Sequence, residues 1–235
     1  SGQGNPGHHQ HLIEIELKME IIDLDTWPRR KTFDLFSSYL SPQFNISAFV
    51  DITPTFEWFN RHGISKFNGI LWLISKAANM VPELKTRMRE NSVVVQHERV
   101  DPAYTLLGED NSLAFCTTIF NENVSRFFDQ VDADIEATRK NPSLEDEPGV
   151  DNLLFVSCIP WVSFSSISHP MSHDMTDCVP RISWGKFTPE GEKMTMPVSL
   201  QVHHALADGY HTGLFYQALE EMLKAPETIE WPISG

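Results

Sequence analysis

The chain reads as a single α+β domain built on a mixed β-sheet. Three observations predict this class. Strand-length stretches with a period of two are interleaved with longer stretches that carry apolar residues at helical spacing. The 235 residues, 41% of them hydrophobic, suffice for a sizeable core. Neither an internal repeat nor a linker-like stretch divides the chain.

The elements follow in order. Residues 1–12 are polar and rich in Gly and His, and are expected as a flexible leader or an expression remnant, with one domain over 13–235. Residues 13–22 alternate as a first strand. The spacing predicts helices over 29–39, 47–62 and 66–80, the last ended by Pro82. Strands are expected at 92–97, 103–107 and 114–120. Val124, Phe127, Phe128, Val131 and Ile135 mark a helix over 124–139, and KNPSLEDEPGV (140–150) is a loop rich in Pro, Asp and Glu. Three or four strands and a last helix over 210–224 complete the chain, the helix marked by Leu214, Phe215, Ala218 and Met222.

Composition narrows the function classes. A net charge of −14 argues against nucleic acid, whose binding needs clustered Lys and Arg, and Arg29-Arg30-Lys31 is too short a cluster to change that. Three scattered cysteines (Cys116, Cys158, Cys178), without a CxxC pair, point to a reducing compartment. No apolar run reaches the length of a membrane span, and no signal-peptide core is present.

The segment MPVSLQVHHALADGYH (196–211) concentrates the chemistry. Met196, Val198, Leu200 and Val202 alternate with Pro197, Ser199, Gln201 and His203, as in a strand with one apolar face. This parity places His204 on the buried side and His203 on the polar side. Burial would keep the His204 imidazole neutral and able to accept a proton. Three readings are open at this point. Asp208 is a helix N-cap and His204 a core histidine; or His204, Asp208 and His211 share a helix face and bind zinc; or His204 is a general base at a strand end.

Three blocks bear on the choice. HHALADG fits an HHxxxDG signature, DLDTWPRRKTF (23–33) fits W-x-R-x-x-x-F, and LFVSCIPWVSFSSI (154–167) fits V-S-x-x-P-W-V-x-F-x-S. Together with RISWGKFTPEGEKMTMPVSLQ (181–201), they resemble the chloramphenicol acetyltransferase family over nearly the whole chain after about residue 18. The resemblance implies a two-layer sandwich, a mixed sheet with helices on one face. It implies transfer of an acetyl group from acetyl-CoA to a hydroxyl of a small acceptor in a ternary complex, with no metal and no permanently bound cofactor. His204 would be the general base and Ser157 the hydroxyl that stabilises the oxyanion. Ser183 stands where the family usually has a threonine that holds a water near the oxyanion. Asp208 would pair with Arg29 and hold the His204 ring rather than relay protons.

The acceptor pocket implied by the resemblance comprises Leu35, Phe36, Leu40 and Thr105, and Lys186 and Phe187 would face the coenzyme. Phe187 replaces a frequent tyrosine, and an ordinary core role for it carries equal weight. Leu35-Phe36 stands where the family has an aromatic pair, and its pocket aromatic falls at Ala114 or Phe115. With the catalytic parts present and the pocket drifted, chloramphenicol is the expected acceptor, with another alcohol or a thiol as alternative. The family implies a cytoplasmic homotrimer with active sites between subunits. Two other classes stay open: a lipoyl-type acyltransferase core, and a non-catalytic relative.

Overall fold

The structure, a computed structural model, describes residues 18–108, 110–145, 148–172, 174 and 176–233. The expected leader, and the first half of the strand expected over 13–22, lie outside the described residues; its second half holds β1 (Met19–Ile21).

Strand β10 (Lys193–His203) organises the sheet because it is long, buried from Thr195 to His203, and paired on both edges. It runs antiparallel to β2 (Gln43–Asp51) on one side and to β8 (Arg181–Gly185) on the other. β9 (Thr188–Glu190) pairs with its first residues. Beyond β8 come β7 (Leu153–Ile159) and β5 (Asp101–Leu107), joined by parallel pairings, and then β6 (Leu113–Thr117), antiparallel to β5. The order β2-β10-β8-β7-β5-β6 is thus a mixed sheet.

Helices α2 (Thr53–His62), α3 (Lys66–Asn79), α4 (Val124–Lys140) and α5 (Gly209–Lys224) cover one face. Phe59, Leu71, Ile74, Phe127, Phe215 and Leu219 meet Val156, Ile182, Val198 and Leu200 of the sheet in one apolar cluster. Gly69 lets the Phe59 ring cross α3, since a Cβ there would stand 2.5 Å from the ring. This is the expected two-layer arrangement. The opposite face of the sheet is lined by hydroxyls, with Ser47, Ser199, Ser183 and Ser157 in register across four strands.

A smaller sheet of β1 (Met19–Ile21), β4 (Val94–His97) and β3 (Thr86–Met88) packs with α1 (Arg30–Ser37). Phe33, Met88, Val94, Ala205 and Leu206 form its core. The cluster therefore ties α1 to the turn that follows β10. Asp151 fastens the small sheet to the start of β7, accepting from both Arg89 (2.8 Å) and His97 (2.8 Å). Burial works against its charge, but those bonds hold the carboxyl well below the usual range. Arg87 is fully buried without a carboxylate, its guanidinium donating to the carbonyls of Leu84, Thr86, Asp151 and Leu153.

Residues 47–62 are not one helix. Strand β2 ends at Asp51, whose carboxylate accepts from the Thr53 backbone N–H at 3.0 Å, and α2 begins there with Pro54 in its first turn. Ile46, Phe49 and Val50 mimic helical spacing, but nine residue pairs with β10 hold them extended. The expected strand at 92–97 starts at Val94, after a short 3-10 turn, and β6 ends at Thr117 instead of 120. Strand β3 had no expectation. The remaining strands are four, as the upper expectation had it.

Candidate active site

The two histidines at the end of β10 differ in the opposite sense to the parity expectation. His203 is 2% exposed, whereas the His204 side chain is 32% exposed. Alternation fails because β10 is a central strand, buried on both faces from Thr195 to His203. His203 Nδ1 accepts from the Ala205 backbone N–H (3.2 Å), bracing the turn that carries its neighbour.

Burial pushes the His203 imidazole down to about 4. An unfolded chain binds that proton near pH 6.5, so stability is full above about pH 6.5 and is lost as pH falls toward about 4. The expected loss is up to about 3 kcal/mol. Urea titrations at several pH values check it: His203→Asn, which keeps an acceptor near the Nδ1 position, should flatten that acid slope.

His204 is held on several sides. Its backbone N–H donates to the Pro42 carbonyl (2.9 Å), and its carbonyl accepts from Arg29 Nη2 (3.3 Å). Phe36 stacks on the imidazole with centroids 3.8 Å apart and planes 6° apart, and Phe44 leans on it at 4.7 Å. Nδ1 is buried 3.4 Å from Asp208 Oδ1 without an aligned hydrogen bond. Nε2 is left as the nitrogen with access to the surface. A base at Nε2 needs the proton on Nδ1, and the adjacent carboxylate favours that tautomer.

Asp208 accepts two hydrogen bonds from Arg29, one of them at 3.0 Å, in a bidentate pair. Hydrogen bonding to that guanidinium is the main reason its carboxyl lies below the ordinary range. The same Arg29 Nη2 reaches the Ala205 carbonyl at 3.5 Å, so one guanidinium ties the helix start to the backbone around His204. Asp208 is also the N-cap of α5, and its backbone N–H donates to His211 Nδ1 (2.9 Å). Asp208 therefore both caps α5 and pairs with Arg29. His204, Asp208 and His211 do not share a helix: the first follows the strand and the second caps α5. Among the described residues no group of His, Cys, Asp and Glu is placed to hold a metal ion.

Ser157 belongs to a second cluster. It lines a cavity of about 160 Å³ with Thr105, Tyr104, Phe115, Phe155 and Val156, in a mostly apolar setting. Phe115, opposite Thr105 in register, faces this cavity, while Ala114 is buried. Ser183 pairs with Ser157 across parallel strands, and its Oγ lies 3.3 Å from His169 Nε2. The loop after Ser157 closes over Gly185, where a Cβ would meet the Val162 carbonyl at 2.6 Å and the Phe164 ring at 2.9 Å. Cys158 is half-buried, and burial pushes its thiol up to about 11, which removes the thiolate a nucleophile would need.

The two clusters do not meet within one chain. Ser199 stands two strands from Ser157, and His204 lies five residues beyond Ser199, so strand spacing and rise separate His204 from Ser157 by roughly 19 Å. Leu35 is exposed and Leu40 is 96% exposed, both on the His204 side, with Phe36 directly against the histidine. Lys186 is exposed; Phe187 packs partly against the core with its edge to Phe56, so the core role accounts for at least one of its sides. Phe44 and His169 escaped the sequence reading. Phe44 lay next to a segment read as a helix, and nothing local distinguishes His169 from other loop histidines.

A family model described as chloramphenicol acetyltransferase matches residues 17–220. The chain is 26% identical over 202 residues to the chloramphenicol acetyltransferase of Proteus mirabilis, covering 86% of this chain and 93% of the relative. It is 28% identical over 209 residues to that of Staphylococcus aureus, covering 87% and 95%. A solved chloramphenicol acetyltransferase superposes with a TM-score of 0.77 at 23% identity, covering 88% of this chain and 99% of the other. The dihydrolipoamide acetyltransferase of Azotobacter vinelandii shares the fold at a TM-score of 0.63 and 11% identity, covering 84% and 87%. With a family match spanning most of its length and the signature histidine set at the strand end, this chain belongs to the chloramphenicol acetyltransferase family.

Proposed function

We propose that the protein is an acetyl-CoA-dependent O-acetyltransferase acting on a small hydroxylated acceptor, chloramphenicol first among them. The observation that carries this reading is His204: its ring stacks on Phe36, Arg29 of the Arg29–Asp208 pair holds its backbone carbonyl, and Nε2 is the nitrogen not buried. In the proposed reaction Nε2 takes the proton of the acceptor hydroxyl as the hydroxyl oxygen attacks the thioester carbonyl. A C–O bond forms, and the carbonyl electron pair moves onto oxygen. The Ser157 hydroxyl donates to that oxyanion, with Ser183 beside it. When the oxyanion collapses the C–S bond breaks, and the His204 imidazolium returns its proton to the CoA thiolate. Lys186 and Phe187 are proposed to face the coenzyme, and Leu35, Phe36, Leu40 and Thr105 the acceptor. No permanently bound cofactor is proposed.

The roughly 19 Å between His204 and Ser157 supports a site shared between subunits, one supplying His204 and its neighbour Ser157; the homotrimer is proposed from the family resemblance. One acyltransferase domain over 13–235 and a cytoplasmic location complete the proposal. No described helix is long and apolar enough to cross a membrane.

Thiol release from acetyl-CoA in the presence of chloramphenicol tests the reaction, with other alcohols and dihydrolipoamide as further acceptors. No turnover with any of them would sink it. A mixing experiment tests the shared site. His204→Ala and Ser157→Ala are each expected to be nearly inactive, and co-refolding equal amounts should restore about a quarter of native activity, because a subunit with intact His204 then meets a neighbour with intact Ser157 at one site in four. Mixtures as inactive as the parents would mean that the two groups serve one chain.

A further inference from the structure

A titratable side chain stands against the oxyanion side of the site without a part in the reaction described above. His169 lies in the segment that follows the Ser157 loop, half-buried, with Nε2 3.3 Å from Ser183 Oγ. Ser183 is fully buried and sits directly opposite Ser157 in register. Neighbouring residues pin this segment to the hydroxyl face of the sheet: Gln201 Nε2 contacts Met171 Sδ at 3.0 Å, and Arg181 holds Asp177 through both of its terminal nitrogens. His169 therefore touches the hydroxyl whose register partner is Ser157.

The physical problem at Ser183 is orientation. A threonine hydroxyl is restrained at χ1 by its methyl group, whereas a serine hydroxyl turns more freely. A buried hydroxyl can donate to only one acceptor at a time, and a donor aimed elsewhere gives nothing to a developing oxyanion. We infer that His169 is a positioning residue for acyl transfer: it donates from Nε2–H to Ser183 Oγ and so turns the Ser183 proton toward Ser157 and the acyl oxygen. Burial, with the positive Arg181 nearby, lowers the imidazole's proton affinity and keeps the ring neutral near pH 7. The neutral ring with its proton on Nε2 donates to Ser183, as the inference requires, and carries no charge to compete for the oxyanion. This inference rests on the acetyltransferase reading and adds to it an orienting group outside the hydroxyl pair.

The test is a double-mutant cycle on the full-length protein, read as kcat and KM for acetyl-CoA with chloramphenicol or whichever acceptor the native protein turns over. His169→Ala should lower kcat on the order of 10-fold, less than the loss of a direct oxyanion donor, and leave the KM for acetyl-CoA unchanged. In the Ser183→Ala background the same substitution should cost nothing further, because the hydroxyl it orients is gone. His169→Gln, with an amide N–H near the Nε2 position, should recover most of the native kcat; it also serves if the alanine variant does not fold. Ser183→Thr should make the site less sensitive to His169→Ala. A native kcat in His169→Ala, an equal loss on the native and Ser183→Ala backgrounds, or no recovery in His169→Gln would each overturn the role. Absence of thiol release by the native protein with every acceptor overturns the acetyltransferase reading, and this role with it. Activity that is lost in His204→Ala but indifferent to His169 overturns the role alone.

Discussion

His204→Ala is expected to lower kcat by about 10²–10⁴-fold, the range over which a positioned general base contributes, while the KM for acetyl-CoA changes little. Folding should survive, because a third of the side chain is already exposed and its main packing partner is the single face of Phe36. The backbone hydrogen bonds from the His204 amide to Pro42 and from Arg29 to the His204 carbonyl do not depend on the side chain. Steady-state thiol release alongside a thermal melt separates the two effects. A variant with native kcat would show that Nε2 is not the base. His204→Gln should not rescue: its amide can hydrogen-bond to the acceptor hydroxyl but cannot take its proton.

Arg29→Ala should damage folding and turnover together. The guanidinium bridges Asp208 and the carbonyls of His204 and Ala205, so its loss leaves a partly buried carboxylate without its cation and frees the turn that presents the histidine. Breaking one side of a fully buried pair costs about 3–5 kcal/mol. The Asp208 side chain is 36% exposed, and with solvent screening the expected loss is nearer 2 kcal/mol. Urea denaturation measures this loss. Activity assayed well below the unfolding midpoint should still fall, through kcat, because Asp208 Oδ1 lies 3.4 Å from His204 Nδ1 and sets its surroundings. Arg29→Lys should keep the charge but lose the two-pronged geometry, giving an intermediate result. Native stability in Arg29→Ala would mean that the pair contributes nothing to the fold.

Much of the site was legible because its signals are local. HHALADG places a histidine at a strand end and an aspartate at a helix start, and the strand and the helix cap are both present. The Arg29–Asp208 pair spans 179 residues, and it was legible through resemblance to a family motif rather than through any pattern of its own. The β2–α2 boundary was missed although its signal was local: Asp51, Thr53 and Pro54 are helix-start residues. The helical reading of 47–62 passed over them, since periodicity alone does not include the hydrogen bonds that β10 offers.

Residue order and type were enough to identify the fold class, the acyltransfer signature and the likeness of most of the chain to one family, because strand and helix periods, caps and motifs are properties of neighbours along the chain. They were not enough to decide which histidine is buried. Alternation assumes one wet face, and β10 has none from Thr195 to His203 because β2, β8, the helices and the segment around Met171 enclose it. Nor could they show that His204 and Ser157 stand far apart in one chain, or that His169 touches Ser183. Burial, strand register and contact between distant segments depend on which parts of the chain pair in space, and no local pattern records that pairing.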